Sequence, residues 1–286
     1  MSVGLTFAAI ATAAGTWWLA TGGALLLARR RSEWHGTVSA ALGISATFAV
    51  LLVYALRDDT TVLGVAAGFF CAIVVWAWAE VAFLLGHIVG PRREPCPSGV
   101  TDRRRFALAF HALRDHELVL VGALGLLIAV SWNAANTVAV QTFAVLWLCR
   151  LASKLCIFEG VPEMAHGLMP ERLAHLKTYF GRGRPRVAFA LSMAGMVVAL
   201  LLLGRSAAVA GDGAQVFGHG LVMTLVALAM LEHALMVLPV RDERLWDWAS
   251  RRSGREEAQD RPTRAGRELH GVALEARAVV PARRAP

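Results

Sequence analysis

Charge is what this chain has least of. Only 17% of its 286 residues are Asp, Glu, Lys or Arg, against about 25% in an ordinary soluble domain. That shortage argues against a soluble globular protein, and against a disordered chain, which combines high charge with low hydrophobicity. Cysteine is scarce too. The four cysteines form no CxxC pair, so neither a disulfide scaffold nor a thiolate metal site is expected. Cys149 and Cys156 stand seven apart and share a helix face, which fits apolar packing. The signatures of soluble enzymes are missing: no Walker loop, no GxGxxG on a strand, no HExxH and no GxSxG. The stretch Gly181-Arg182-Gly183-Arg184-Pro185 follows no strand and reads as a basic turn.

Apolar residues make up 56% of the chain, and the mean hydropathy is +0.52. They fall into seven runs, at 5–28, 38–56, 63–89, 116–132, 137–158, 187–206 and 217–240. A spanning helix needs about 20 mostly apolar residues. The runs are too long for strands and lack the alternation of an outer-membrane barrel. The reading is an all-α polytopic membrane protein, a bundle of seven transmembrane helices over 1–248. A basic cytoplasmic tail without periodicity follows at 249–286, and is expected to be disordered. Met1–Ala13 lacks a basic n-region, so the first run is read as an uncleaved helix.

The net charge of +8 would point to nucleic acid in a soluble protein. Its distribution gives another explanation. With the N-terminus outside and the C-terminus in the cytoplasm, 27 of the 29 Lys and Arg residues fall inside, leaving Arg57 and Arg205 outside. Such asymmetry is an orientation signal, and no nucleic-acid partner is needed. The inner loops are the larger ones. Phe106, Phe110 and Leu113 form a stripe at helical spacing, either an interfacial helix or an inward extension of the fourth span. In the fifth loop Pro170 opens a short helix with Leu173, Leu176, Tyr179 and Phe180 on one face. That face fits an anionic inner leaflet or a docked partner.

Ionisable residues at membrane depth are costly, so each is a functional candidate. Glu80, Arg150, Lys154, Glu232 and His233 lie in the later parts of spans three, five and seven. Trp76, Glu80, Phe83 and His87 share a face, as do Phe143, Trp147, Arg150 and Lys154. The expected arrangement is an intramembrane polar cluster, with Glu80 and Glu232 facing Arg150 and Lys154, and His233 and His87 nearby. It could lock helices, engage a partner's helix, or form a ligand site from Glu80, His87, Glu232 and His233. Carboxylate–histidine pairs suit a metal, but these four residues show no HxxxH or ExxH spacing and the two bases would repel a cation; no metal site is expected. The nine tryptophans admit a tetrapyrrole or carotenoid contact. Among them, Trp132 and Trp246 fit interface anchors.

Several segments taken together resemble the PuhE family, described as photosynthetic complex assembly proteins of anoxygenic phototrophic bacteria. The carrying residues are Trp78, Glu80, Phe83-Leu84-Leu85-Gly86, Gly90-Pro91-Arg92-Arg93 and Cys96-Pro97. Then come His116-Glu117-Leu118, Asn136, Thr142-Phe143, Leu146-Trp147, Arg150 and Ser153-Lys154-Leu155. Gly160-Val161-Pro162, Tyr179-Phe180, Glu232-His233, Leu238-Pro239 and Leu245-Trp246 complete the set. The resemblance covers about 1–250. Cys156, Glu159, Arg186 and Ala190 depart from it. It implies an inner- or intracytoplasmic-membrane protein linked to assembly of the reaction centre–light-harvesting complex and to bacteriochlorophyll supply. The implied partners are reaction-centre or light-harvesting subunits and pigment-delivery proteins. It implies no catalytic residue and no established cofactor, with bacteriochlorophyll or another tetrapyrrole as the candidate. The competing reading is a membrane-embedded pigment carrier or enzyme using Glu80, His87, Glu232 and His233. A small-solute transporter is a third, against which the spans show no inverted repeat.

Overall fold

A computed structural model describes residues 2–29, 32–161, 169–181, 183, 187–238 and 248. The tail at 249–286, positions 239–240 of the seventh run, Trp246, Pro162, Leu245, Arg182, Arg184 and Arg186 lie outside the described residues.

Apolar surroundings force a backbone to satisfy its own hydrogen bonds, and helices do so locally. The seven α-helices among the described residues are α1 (Ser2–Ala28), α2 (His35–Ala55), α3 (Val62–Leu84), α4 (Asp102–Val130), α5 (Val138–Glu159), α6 (Val187–Ala208) and α7 (Gly213–Leu235). Short 3-10 helices occupy Ser32–Trp34 and Glu171–Tyr179, and no strand is present among the described residues. Side-chain caps mark three starts. Thr61 accepts from Gly64 N–H at 3.1 Å, Thr101 from Arg104 N–H at 3.5 Å, and Asp212 from Gln215 N–H at 2.8 Å. Each takes up a donor that the first helical turn leaves unpaired.

Six of the helices are long and apolar enough to cross a membrane. The exception is α4. It begins at Asp102 rather than at 116, and its first half carries Arg103, Arg104, Arg105 and Arg114. The stripe of Phe106, Phe110 and Leu113 is therefore part of this helix and not a separate interfacial element. At 29 residues, α4 is about 43 Å long. A second difference concerns α3, which stops at Leu84 instead of continuing to Val89. Gly86 has φ +78°, a left-handed conformation that glycine adopts freely, and the chain turns away from the helix axis there.

The helices run alternately up and down. The last residues of α1, α3, α5 and α7 meet at one end, with the starts of α2, α4 and α6. Arg172 records this directly. Its guanidinium donates to Ala28 O at 3.1 Å and Leu85 O at 3.5 Å, and lies 3.1 Å from His35 Nδ1. A cation over the carbonyls that end α1 and α3 is favoured by both helix dipoles. At the opposite end Asn136 ties two loops. Its N–H donates to Arg57 O at 2.8 Å and its side-chain amide to Asp59 O at 3.0 Å. Between the ends, α3 and α7 are half buried, whereas only 6% of the α6 span is buried. Leu191, Val198, Leu201 and Leu202 of α6 are thus left as an exposed apolar flank, as a lipid-facing helix requires.

The Glu171–Tyr179 segment differs from its expected role. Leu173, Leu176 and Tyr179 do share a face, but it is buried within the chain, against Phe83, Val89 and Ala112. Tyr179 explains the docking. Its hydroxyl accepts from Arg92 Nε at 2.7 Å and donates to Glu94 O at 2.7 Å, and its carbonyl accepts from Arg105 at 3.2 Å. Arg105 also lies 4.2 Å over the Phe158 ring. Burial holds the His175 imidazole below its ordinary pKa, with nearby Arg93 acting in the same direction.

Two glycines let this end close. A Cβ on Gly90 would sit 2.0 Å from His111 O, and one on Gly181 would sit 2.2 Å from Glu159 O. Backbone cannot give way as a side chain can. Gly90→Ala is expected to cost about 1–3 kcal/mol, the range for forced overpacking. Gly4→Ala, whose Cβ meets nothing within 4 Å, is expected to match or exceed the parent. Thermal unfolding of the purified proteins in detergent checks the pair.

Candidate functional site

Helix α5 is the hub of the polar residues. It packs against α3, α4, α6 and α7 and presents Trp147, Arg150 and Lys154. Four residues advance a helix about 40° past a full turn, and that offset sends the two bases to different partners. Arg150 points between α3 and α7. Its Nη2 lies 3.8 Å from Glu80 Oε2 and its Nη1 3.6 Å from Glu232 Oε1. Lys154 points to α4, where its Nζ donates to Glu117 Oε1 at 2.5 Å. The second oxygen of Glu117 accepts from Trp147 Nε1 at 3.2 Å. The structure thus brings together Glu80, Arg150 and Glu232. Lys154, expected opposite Glu80 and Glu232, forms a separate pair with a carboxylate absent from the expected set.

Glu117 was hidden by the position of the fourth helix. With that span starting at 116, Glu117 reads as a membrane-surface residue; with α4 starting at Asp102 it lies in mid-helix. The signal was present in the helical spacing of Phe106, Phe110 and Leu113, which extends the helix backwards. His116 was missed for the same reason. It is fully buried, its ring packs 4.3 Å from that of Phe83, and its Nε2 is 3.6 Å from Glu80 Oε1. Neither imidazole nitrogen has a hydrogen-bond partner among the described residues.

The two remaining expected members do not join the ion pairs. His87 is exposed in the bend beyond α3, because the left-handed turn at Gly86 ends the helical face it was assigned to. His233 is fully buried in α7, with Nδ1 2.8 Å from Ala229 O. Among the described residues no group of three His, Cys, Asp or Glu is arranged to hold a metal ion. Two departures from the family pattern have clear places. Cys156 is fully buried. Glu159 accepts from Ala188 N–H at 3.0 Å, a carboxylate on the positive end of α6.

Arg150 opens onto a cavity of about 350 Å³ between α1, α3, α5 and α7. Its walls are mostly apolar, with Trp17, Trp76 and Leu225 along the helices and Met169 and Phe180 at the basic end. Among the described residues, Glu80, Arg150 and Glu232 are the charged ones on its surface. The Arg150 side chain is 44% exposed and that of Glu80 only 11%.

Fold and site define a multi-pass membrane protein whose helices are tied by ion pairs within the bundle. The chain belongs to the family described as Protein of unknown function (DUF3623), whose model matches residues 4–257. A relative from Rhodobacter capsulatus, named "Uncharacterized 30.4 kDa protein in puhA 5'region", is 34% identical over 237 residues, covering 81% of this chain and 86% of the relative. No solved structure matches the chain.

Breaking a largely buried pair leaves its partner uncompensated. Glu117→Ala is expected to cost about 3–5 kcal/mol, and Glu117→Leu with Lys154→Met to recover most of that loss. Unfolding by denaturant titration in mixed micelles measures both. Equal losses in the single and double variants would count against the pairing.

Proposed function

We propose that this protein is a non-enzymatic integral-membrane factor for assembly of the photosynthetic reaction centre–light-harvesting complex. In that role it also influences bacteriochlorophyll supply. The observation that carries the reading is the relative named for the puhA 5' region, taken with the resemblance of the sequence to the PuhE family. The geometry agrees with a non-catalytic role. The two strongest polar groups of α5 are engaged with carboxylates on three other helices, an arrangement suited to holding a scaffold.

In this reading all seven helices cross the inner or intracytoplasmic membrane, α4 included, with the N-terminus outside and the C-terminus in the cytoplasm. The end held by Arg92, Arg105, Arg172 and Tyr179 then faces the cytoplasm, in keeping with the positive-inside rule. It presents the surface for nascent reaction-centre or light-harvesting subunits and for pigment-delivery proteins. A second reading, a pigment or cofactor carrier, is favoured by the cavity beside Glu80 and Glu232, whose size reaches the range of small-molecule sites.

Deletion of the gene in the native phototroph tests the leading reading. Near-infrared absorption of the membranes is expected to show less core complex, restored by the gene supplied in trans. Unchanged core complex and unchanged free pigment would refute it.

A further inference from the structure

The carrier reading leaves open what kind of molecule the cavity takes, and Arg150 narrows the choice. A guanidinium has five N–H donors in a planar fork. Here both of its ion pairs, at 3.6 and 3.8 Å, are longer than hydrogen bonds. Among the described residues no acceptor lies within hydrogen-bonding distance of Arg150. Glu80 and Glu232 hold it electrostatically from opposite sides without taking up its donors. The side chain is nonetheless well exposed to the cavity. Donors unspent in an apolar site are expensive, and an acceptor brought from outside the chain would relieve that cost.

The sign of the site selects that acceptor. Among the described residues its charged surface comprises two carboxylates and one guanidinium. An anionic head group would gain one attraction and meet two repulsions in a low dielectric. A cationic head group would be drawn by the two carboxylates, but it offers Arg150 no acceptor and leaves the N–H donors unused. A neutral carbonyl oxygen satisfies the donors without adding charge. The rest of the molecule must be apolar, to match walls built from Trp17, Trp76, Leu225 and Met169.

We propose that the cavity between α1, α3, α5 and α7 binds a neutral apolar molecule through a carbonyl oxygen, an ester or a ketone, seated on Arg150. This inference rests on the carrier reading of the cavity. The carbonyl could belong to a membrane lipid ester or to a pigment side chain, and both present the same group to the guanidinium.

Three bromine-tagged probes of one chain length separate the chemistries: methyl 11-bromoundecanoate, 11-bromoundecanoate and an 11-bromoundecylammonium salt. Bromine quenches tryptophan fluorescence at short range, and Trp17 and Trp76 line the cavity. With the full chain in detergent micelles, the ester is expected to quench saturably, binding at least about tenfold tighter than either ion, the scale of one lost polar interaction. Ala77, on the cavity wall, tests the location: Ala77→Phe fills the space while leaving all three charges in place, and is expected to abolish saturation. Arg150→Met combined with Glu80→Leu and Glu232→Leu removes the donors without leaving a lone charge, and is expected to reduce ester binding to the level of the ions. Carboxylate or ammonium binding as tightly as the ester, or ester binding that survives Ala77→Phe, overturns the proposal while leaving a carrier role standing. Absence of saturable quenching by all three probes overturns both. Organic extraction of protein purified from native membranes, followed by mass spectrometry, then distinguishes a lipid ester from a tetrapyrrole.

Discussion

Arg150 holds the bundle in register. Within a bilayer, helices gain little by leaving lipid for one another, because both are apolar. Association must come from close packing and polar contacts. A guanidinium set between Glu80 on α3 and Glu232 on α7 makes three helices interdependent, since any one that withdrew would leave a charge uncompensated in a low dielectric. Lys154 extends the same logic to α4 through Glu117. The packing follows these ties. α3 and α7, which carry the acids paired with Arg150, are the most buried spans, and α6, which contributes to neither ion pair, is the least.

A second set of charges organises the basic end by different means. There the arginines work on backbone oxygens and a phenol. Arg172 covers the carbonyls that end α1 and α3, and Arg92 and Arg105 converge on Tyr179. The result is a layer of the chain's own loops at this end, from which Met169, Leu173 and Phe180 reach the cavity wall. Two glycines admit the backbone crossings that this needs. The cavity is thus bounded by ion pairs deep in the bundle and by hydrogen-bonded loops at its end.

The positions of the charges within the helices could be read from the chain because each interrupts an apolar run, and such interruptions stand out against 56% apolar residues. The carboxylates facing Arg150 were legible too, whereas the partner of Lys154 was not. Periodicity put Arg150 and Lys154 on one stripe, and a 40° offset was enough to divide them between α7 and α4. His87 was drawn in by helical spacing with Glu80, and the backbone turn at Gly86 put it outside. Glu117 and His116 were obscured because the start of α4 is written in arginine. A hydropathy reading takes those arginines for a loop, whereas the Thr101 cap and the continuing hydrogen bonds make them helix.

Local composition was enough to set the class: an α-helical, multi-pass membrane protein. Those properties follow from local composition, because burial of backbone in lipid leaves the helix as the only economical local structure. Tertiary structure decided which charges meet, how far α4 extends, that the 3-10 segment covers its own bundle, and that a cavity opens beside Arg150. These depend on helix rotation and approach, quantities set by contacts between residues distant in the chain, which no window of sequence contains.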